Sequence, residues 1–139
     1  MNGLKLPIAM SVLALTLAAP SLHAAGEPQI RQSGNISYVS GGVSEEGRDS
    51  LQAVAQTQGF NLKLVLATRS GAYLSDVGIV IKDRRGQRML DAKSDGPWFY
   101  AKVPNGTYEV AASANGATVR KLVTIGTRSQ NRVDFRWDD

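Results

Sequence analysis

Few side chains in this 139-residue sequence can serve as nucleophile, general base or soft metal ligand: there is no cysteine, and the one histidine is His23. His23 lies within Met1 to Ala24, which has the layout of a secretory signal peptide. Lys5 gives a short positive start, Ile8 to Ala19 form a twelve-residue apolar run, Pro20 breaks it, and small residues allow cleavage after Ala24 or Ala25. The apolar run is too short for a membrane span, which takes about 20 residues. Processing after Ala24 leaves 115 residues with neither histidine nor cysteine. That inventory excludes Ser-His-Asp and Cys-His nucleophile sets and metal sites built from His or Cys. It also excludes disulfides, so in an oxidising compartment stability must come from the core.

The remaining candidates are oxygen and amine groups. A serine–lysine pair could draw on Lys63, Lys82, Lys93, Lys102 or Lys121, but no Ser-x-x-Lys spacing occurs after residue 24. Asp76, Asp83, Asp91 and Asp95 are hard oxygen ligands of the type Ca2+ takes. They lack Asp-x-Asp-x-Asp spacing and sit among Arg84, Arg85, Arg88 and Lys93, so they read as turn-forming and ion-pairing groups. No metal and no cofactor is expected. Tyr73, Trp98, Phe99, Tyr100 and Trp137 have the chemistry of a stacking platform or of a core. Basic residues gather at Arg84, Arg85 and Arg88, and again at Arg120, Lys121, Arg128, Arg132 and Arg136. The net charge of +4, or +3 without Lys5, is too small to imply nucleic acid. Such clusters suit an anionic partner, or they protect strand edges from pairing.

Hydrophobic residues are 42% of the chain, enough for one ordinary domain with a core. Residues 25–43 read as a polar lead-in with a short strand at Ile36 to Val39, closed by Gly41 and Gly42. Ser44 followed by Glu45 and Glu46 is a helix start, and Leu51, Val54 and Ala55 share one face. Gly59 is the stop, so the spacing predicts a helix over 44–58. From residue 60 the period becomes two. Asn61 to Ala67, a hairpin over 77–90 around Asp83-Arg84-Arg85-Gly86, Trp98 to Val103, Tyr108 to Ser113, Ala117 to Ile125 and Arg132 to Trp137 read as seven strands. Pro104-Asn105-Gly106 and Asn115-Gly116 supply tight turns. Each sheet is expected to have one wet and one buried face. Trp98, Tyr100, Tyr108, Phe135 and Trp137 fall at inward positions. Phe99 then points outward, to solvent or beneath the helix.

Three stretches carry a family resemblance: Ser70-Gly71-Ala72-Tyr73-Leu74-Ser75-Asp76-Val77, Ser94-Asp95-Gly96-Pro97-Trp98-Phe99-Tyr100, and Val103-Pro104-Asn105-Gly106-Thr107-Tyr108-Glu109-Val110. Together they resemble the carboxypeptidase regulatory-like domain, a transthyretin-like (prealbumin-like) sandwich. The resemblance covers about Leu62 to Trp137. It implies a mainly β, seven-strand antiparallel β-sandwich over 60–139, preceded by one helix. Tyr38 to Glu46 and Phe60 to Val65 resemble small stand-alone proteobacterial periplasmic proteins with the same sandwich. That likeness implies a periplasmic location. The transthyretin-like fold also includes hydroxyisourate hydrolase, whose family uses histidines, an arginine and a C-terminal Tyr-Arg-Gly-Ser. This chain ends Phe135-Arg136-Trp137-Asp138-Asp139, so those roles do not carry over.

The expectation is a non-catalytic periplasmic binding or accessory module acting through protein–protein contacts, with no membrane span and no nucleic-acid partner. A module binding glycan or another envelope polymer is the alternative, and a hydrolase ranks third. The expected partner is a periplasmic or envelope protein, or an anionic envelope component. The interaction surface is expected at Tyr73 and Asp76 in the 70–76 loop, Arg84 and Arg85 at the hairpin tip, Phe99, and the Arg132 and Arg136 strand face.

Overall fold

A computed structural model describes residues 3, 28–127 and 130–139. The signal peptide read from the sequence, Gly3 apart, and Arg128 lie outside these residues. The chain forms β1 (Arg31–Ser33), β2 (Ile36–Gly41), α1 (Glu45–Gln58), β3 (Leu62–Thr68), β4 (Gly78–Lys82), β5 (Arg88–Lys93), β6 (Trp98–Lys102), β7 (Gly106–Ala114), β8 (Ala117–Ile125) and β9 (Asn131–Trp137). One sheet has the order β1-β2-β6-β3-β9 and the other β5-β4-β7-β8.

The helix follows its local signals. The Ser44 side chain accepts a hydrogen bond from the Gly47 N–H at 3.0 Å, and Glu45 and Glu46 occupy the positive first turn. Gly59 ends the helix in a left-handed conformation, φ 71°. Its apolar residues Leu51 and Ala55, with Phe60 just beyond, pack on Val39 and Tyr100 of the first sheet. The main core lies between the sheets. Leu62, Leu64, Leu66, Phe99 and Phe135 face Ile79, Ile81, Val110, Ala112 and Ile125 within it. Burial of such apolar surface is the main source of stability in a chain without disulfides. Gly96 marks a close backbone approach: a Cβ there would collide with the carbonyl group of Gly41. At Asn61 the side chain donates to Val103 O (2.7 Å) and accepts from Val103 N–H (2.9 Å), tying the start of β3 to the end of β6.

Four expectations need correction. The described residues form nine strands, of which seven follow the helix. Of the other two, β2 is the short strand expected at Ile36 to Val39, and β1 arises because Gly34 (φ 58°) turns the expected lead-in back on β2, pairing Arg31 with Tyr38. The sandwich is not wholly antiparallel, since β9 runs parallel to β3 from Leu62/Asn131 to Thr68/Trp137. It reaches β3 from the opposite sheet, after β8, so no hairpin forces it antiparallel. The first sheet also lacks a uniformly wet outer face: Leu62 to Ala67 are all buried.

The last correction concerns β6. Phe99 points between the sheets, fully buried, and stacks on Tyr38 at 5.2 Å. It therefore cannot serve as an interaction surface. Tyr100 is buried on the opposite face with Leu51, Ala55 and Phe60, and the partly buried Trp98 packs beside it. Helix cover makes both faces of β6 apolar, and period two alone does not say which face is inner.

Candidate functional site

Backbone register assembles three columns of side chains on the outer face of the first sheet. Lys63 lies between Tyr100 and Arg132, and Val65 between Trp98 and Asp134. Ala67 lies between Tyr73, through an isolated bridge, and Arg136. Directly paired residues project from the same face. The result is an aromatic column (Tyr100, Trp98, Tyr73), a central β3 column, and a charged column (Arg132, Asp134, Arg136). The central column shortens from Lys63 to Ala67, so taller side chains flank its floor.

The helix adds a fourth cation. Arg48 donates to Gly42 O at 3.0 Å, and its guanidinium carbon lies 5.3 Å from the Tyr73 ring centre and 6.0 Å from that of Trp98. Tyr73 is 50% exposed, so this stack reaches solvent. Lys63 sits deeper, at 7% exposure. Its ammonium lies 3.5 Å from the Trp98 ring centre and 5.6 Å from that of Tyr100. Among the described residues it has no carboxylate in salt-bridge range. Ring faces attract a cation, by about 2 kcal/mol or more when it is desolvated. They provide no hydrogen-bond acceptor comparable to a carboxylate. The two rings that Lys63 faces carry Trp98 Nε1 and the Tyr100 hydroxyl, both buried and without a hydrogen-bond partner among the described residues.

The electrostatics follow from this placement. Burial, and next the Arg132 charge, lower the Lys63 pKa; Asp134 partly opposes them. Burial pushes the Tyr100 phenol up to about 12. Arg132 Nε donates to Asp134 Oδ1 at 2.9 Å. That bond holds Arg132 above its ordinary value and Asp134 below its own. The patch thus carries Arg48, Lys63, Arg132 and Arg136 against the single carboxylate of Asp134.

The other expected surface residues are dispersed. Asp76 (φ 57°) is held by its N–H bond to Ser94 O at the base of the loop, which presents Tyr73 but not Asp76 to the cation–aromatic patch. Arg84 and Arg85 stand at the β4–β5 tip, where Asp83 accepts from the N–H groups of Arg85 and Gln87. Arg84 borders a groove of about 320 Å³ between that tip and β7, with Asp83, Tyr108, Glu109 and Leu122 on its walls. The aspartates do not converge: Asp91 pairs with Arg88 (3.1 Å) and Asp95 with Arg31 (3.4 Å). Among the described residues no group of three or more His, Cys, Asp or Glu could hold a metal ion. Tyr73, Arg132 and Arg136 are therefore the expected surface residues that the fold brings together. Arg48, Lys63, Trp98 and Tyr100 are additions. A lysine inside the run Leu62 to Ala67 was the sequence signal for them.

No helix among the described residues is long and apolar enough to cross a membrane. No protein-family model matches the chain, and no curated protein sequence matches it.

Proposed function

We propose that this chain is a non-catalytic binding module that works through protein–protein contacts. The observation that carries the reading is the solvent-reaching stack of Tyr73, Arg48 and Trp98 on the outer face of the first sheet. Tyrosine, tryptophan and arginine are the residue types that dominate binding energy at protein interfaces, because each combines large contact area with a polar handle. Export through a cleaved signal peptide and action in the bacterial periplasm belong to the same reading, as does the transthyretin-like, carboxypeptidase regulatory-like sandwich suggested by residues 62–137. Beyond residue 24 the sequence holds neither histidine nor cysteine, which favours binding over acyl or metal-assisted hydrolysis.

Photocrosslinking tests it. A photoreactive amino acid at position 73 should trap one discrete protein adduct in intact cells, whereas the same group at position 93, on the other sheet, should trap none. Equal labelling from both positions, or no adduct at position 73, would refute a contact surface at the stack.

A further inference from the structure

We infer that the Lys63–Arg132 end of this face is a seat for a side-chain carboxylate, and that its occupant is an acidic segment of a partner protein. The inference rests on the protein-binding reading and adds to it the chemistry of the bound segment. The first support is the Lys63 ammonium. It is held against two ring faces with no carboxylate in range among the described residues. Ring faces are poor substitutes for the oxygen acceptors that ammonium donors normally find, and the half-exposed Arg132 guanidinium stands beside it across β3 and β9. A carboxylate is the acceptor that also offsets charge, and its bonds to cations are the strong class.

The second support is the balance of the whole face. Four cations surround one acid, Asp134, which is already bonded to Arg132. An acidic segment complements that excess. The third support is geometric. Arg132, Asp134 and Arg136 project from the exposed side of β9 at the strand repeat of about 6.4–6.8 Å for alternate residues. An extended peptide laid along β9 places its own alternate side chains at the same repeat. One of its carboxylates would meet Arg132 and the Lys63 ammonium, and one two repeats further on would reach Arg136, past Asp134. Tyr73 would cover the segment's aliphatic stems.

The test uses the ¹⁵N-labelled protein titrated with a capped hexaglutamate peptide, with hexaglutamine and trigalacturonate as separate arms. The expected result is a saturable shift of the Trp98 indole N–H with hexaglutamate alone. The Trp137 indole, which donates to Ala117 O in the core, should stay fixed. Lys63→Met and Arg132→Gln should each weaken binding by about tenfold or more. Lys93→Gln, an exposed cation on the other sheet, should leave it unchanged. Thermal melts confirm that each variant is folded, and Arg132→Gln, an exposed site, keeps the test open if Lys63→Met unfolds. No shift at millimolar peptide overturns the inference. So does equal weakening by Lys93→Gln, which would mean diffuse charge attraction. Binding of trigalacturonate in place of the peptide overturns the peptide occupant and supports an acidic glycan. A failed titration with a discrete crosslink at position 73 discards the carboxylate seat and leaves the protein-binding reading standing. Loss of both discards both.

Discussion

Replacing Lys63 with methionine should stabilise the protein. Lys63 is 7% exposed as a residue while its ammonium keeps some contact with solvent, so the cost of holding the charge there lies at the low end of the several kcal/mol that full withdrawal takes, about 2–3 kcal/mol. Against it stands the cation–π attraction to Trp98 at 3.5 Å, about 2 kcal/mol in a desolvated setting. Methionine keeps the unbranched stem and places a polarisable sulfur near the same ring, worth about 0.3–1.5 kcal/mol. The balance favours Lys63→Met by about 1–2 kcal/mol at pH 7. The pH dependence has a definite sign. Burial lowers the Lys63 pKa in the fold below its ordinary 10.5, so the unfolded chain binds that proton more tightly. Wild-type stability attributable to this group therefore rises as pH climbs from the folded pKa towards 10.5, and the advantage of Lys63→Met shrinks over that window. Tyr100 acts in the opposite direction. Raised to about 12 from 10.0, it makes stability fall above pH 10 as the unfolded phenol ionises first. Both proteins share that effect, so it cancels in their difference. Urea unfolding of both at pH 7 and pH 10 measures the quantity. A variant less stable than wild type at pH 7, or an advantage unchanged at pH 10, refutes the reasoning. A stability gain at Lys63, joined to lost peptide binding, would place the residue among those kept for function at a cost in stability.

Two substitutions test the architecture by the same unfolding assay. Phe99→Ala should lose about 3–5 kcal/mol, because Phe99 is fully buried between the sheets; a cost under about 1 kcal/mol would place it on a surface instead. Gly96→Ala should lose about 1–3 kcal/mol, since its Cβ would meet the Gly41 carbonyl group and push β6 away from β2; a neutral result would mean that this approach is looser than described.

The corrections concentrate where partners are distant in sequence. Ser44, Glu45 and Gly59 act within a few residues, and the helix they delimit was legible from them alone. The seven strands after it were legible for the same reason: turns at Asp83–Gly86, Pro104–Gly106 and Asn115–Gly116 punctuate a period of two. The orientation of Trp98-Phe99-Tyr100 was not, because it depends on where α1 docks, some forty residues upstream in the sequence. Nor was the parallel pairing of β9 with β3, whose partners Lys63 and Arg132 lie far apart along the chain. Arg132 and Arg136 were visible as one strand face, and Tyr73 as a loop aromatic. Nothing local joined them to each other or to Lys63.

The sequence by itself determined the chemical inventory: beyond residue 24 there is no thiol and no imidazole, only hydroxyls, amides, amines, guanidiniums, carboxylates and aromatic rings. It also determined the order of the helix and the seven strands after it, because capping, turns and alternation are short-range properties. The tertiary structure alone decided which of those groups share a surface. Sheet register set Lys63 between Tyr100 and Arg132, and helix docking covered Tyr100 while leaving Tyr73 half exposed. Alternation supplies two faces to every strand, and only packing against distant elements determines which face becomes core and which remains to meet a partner.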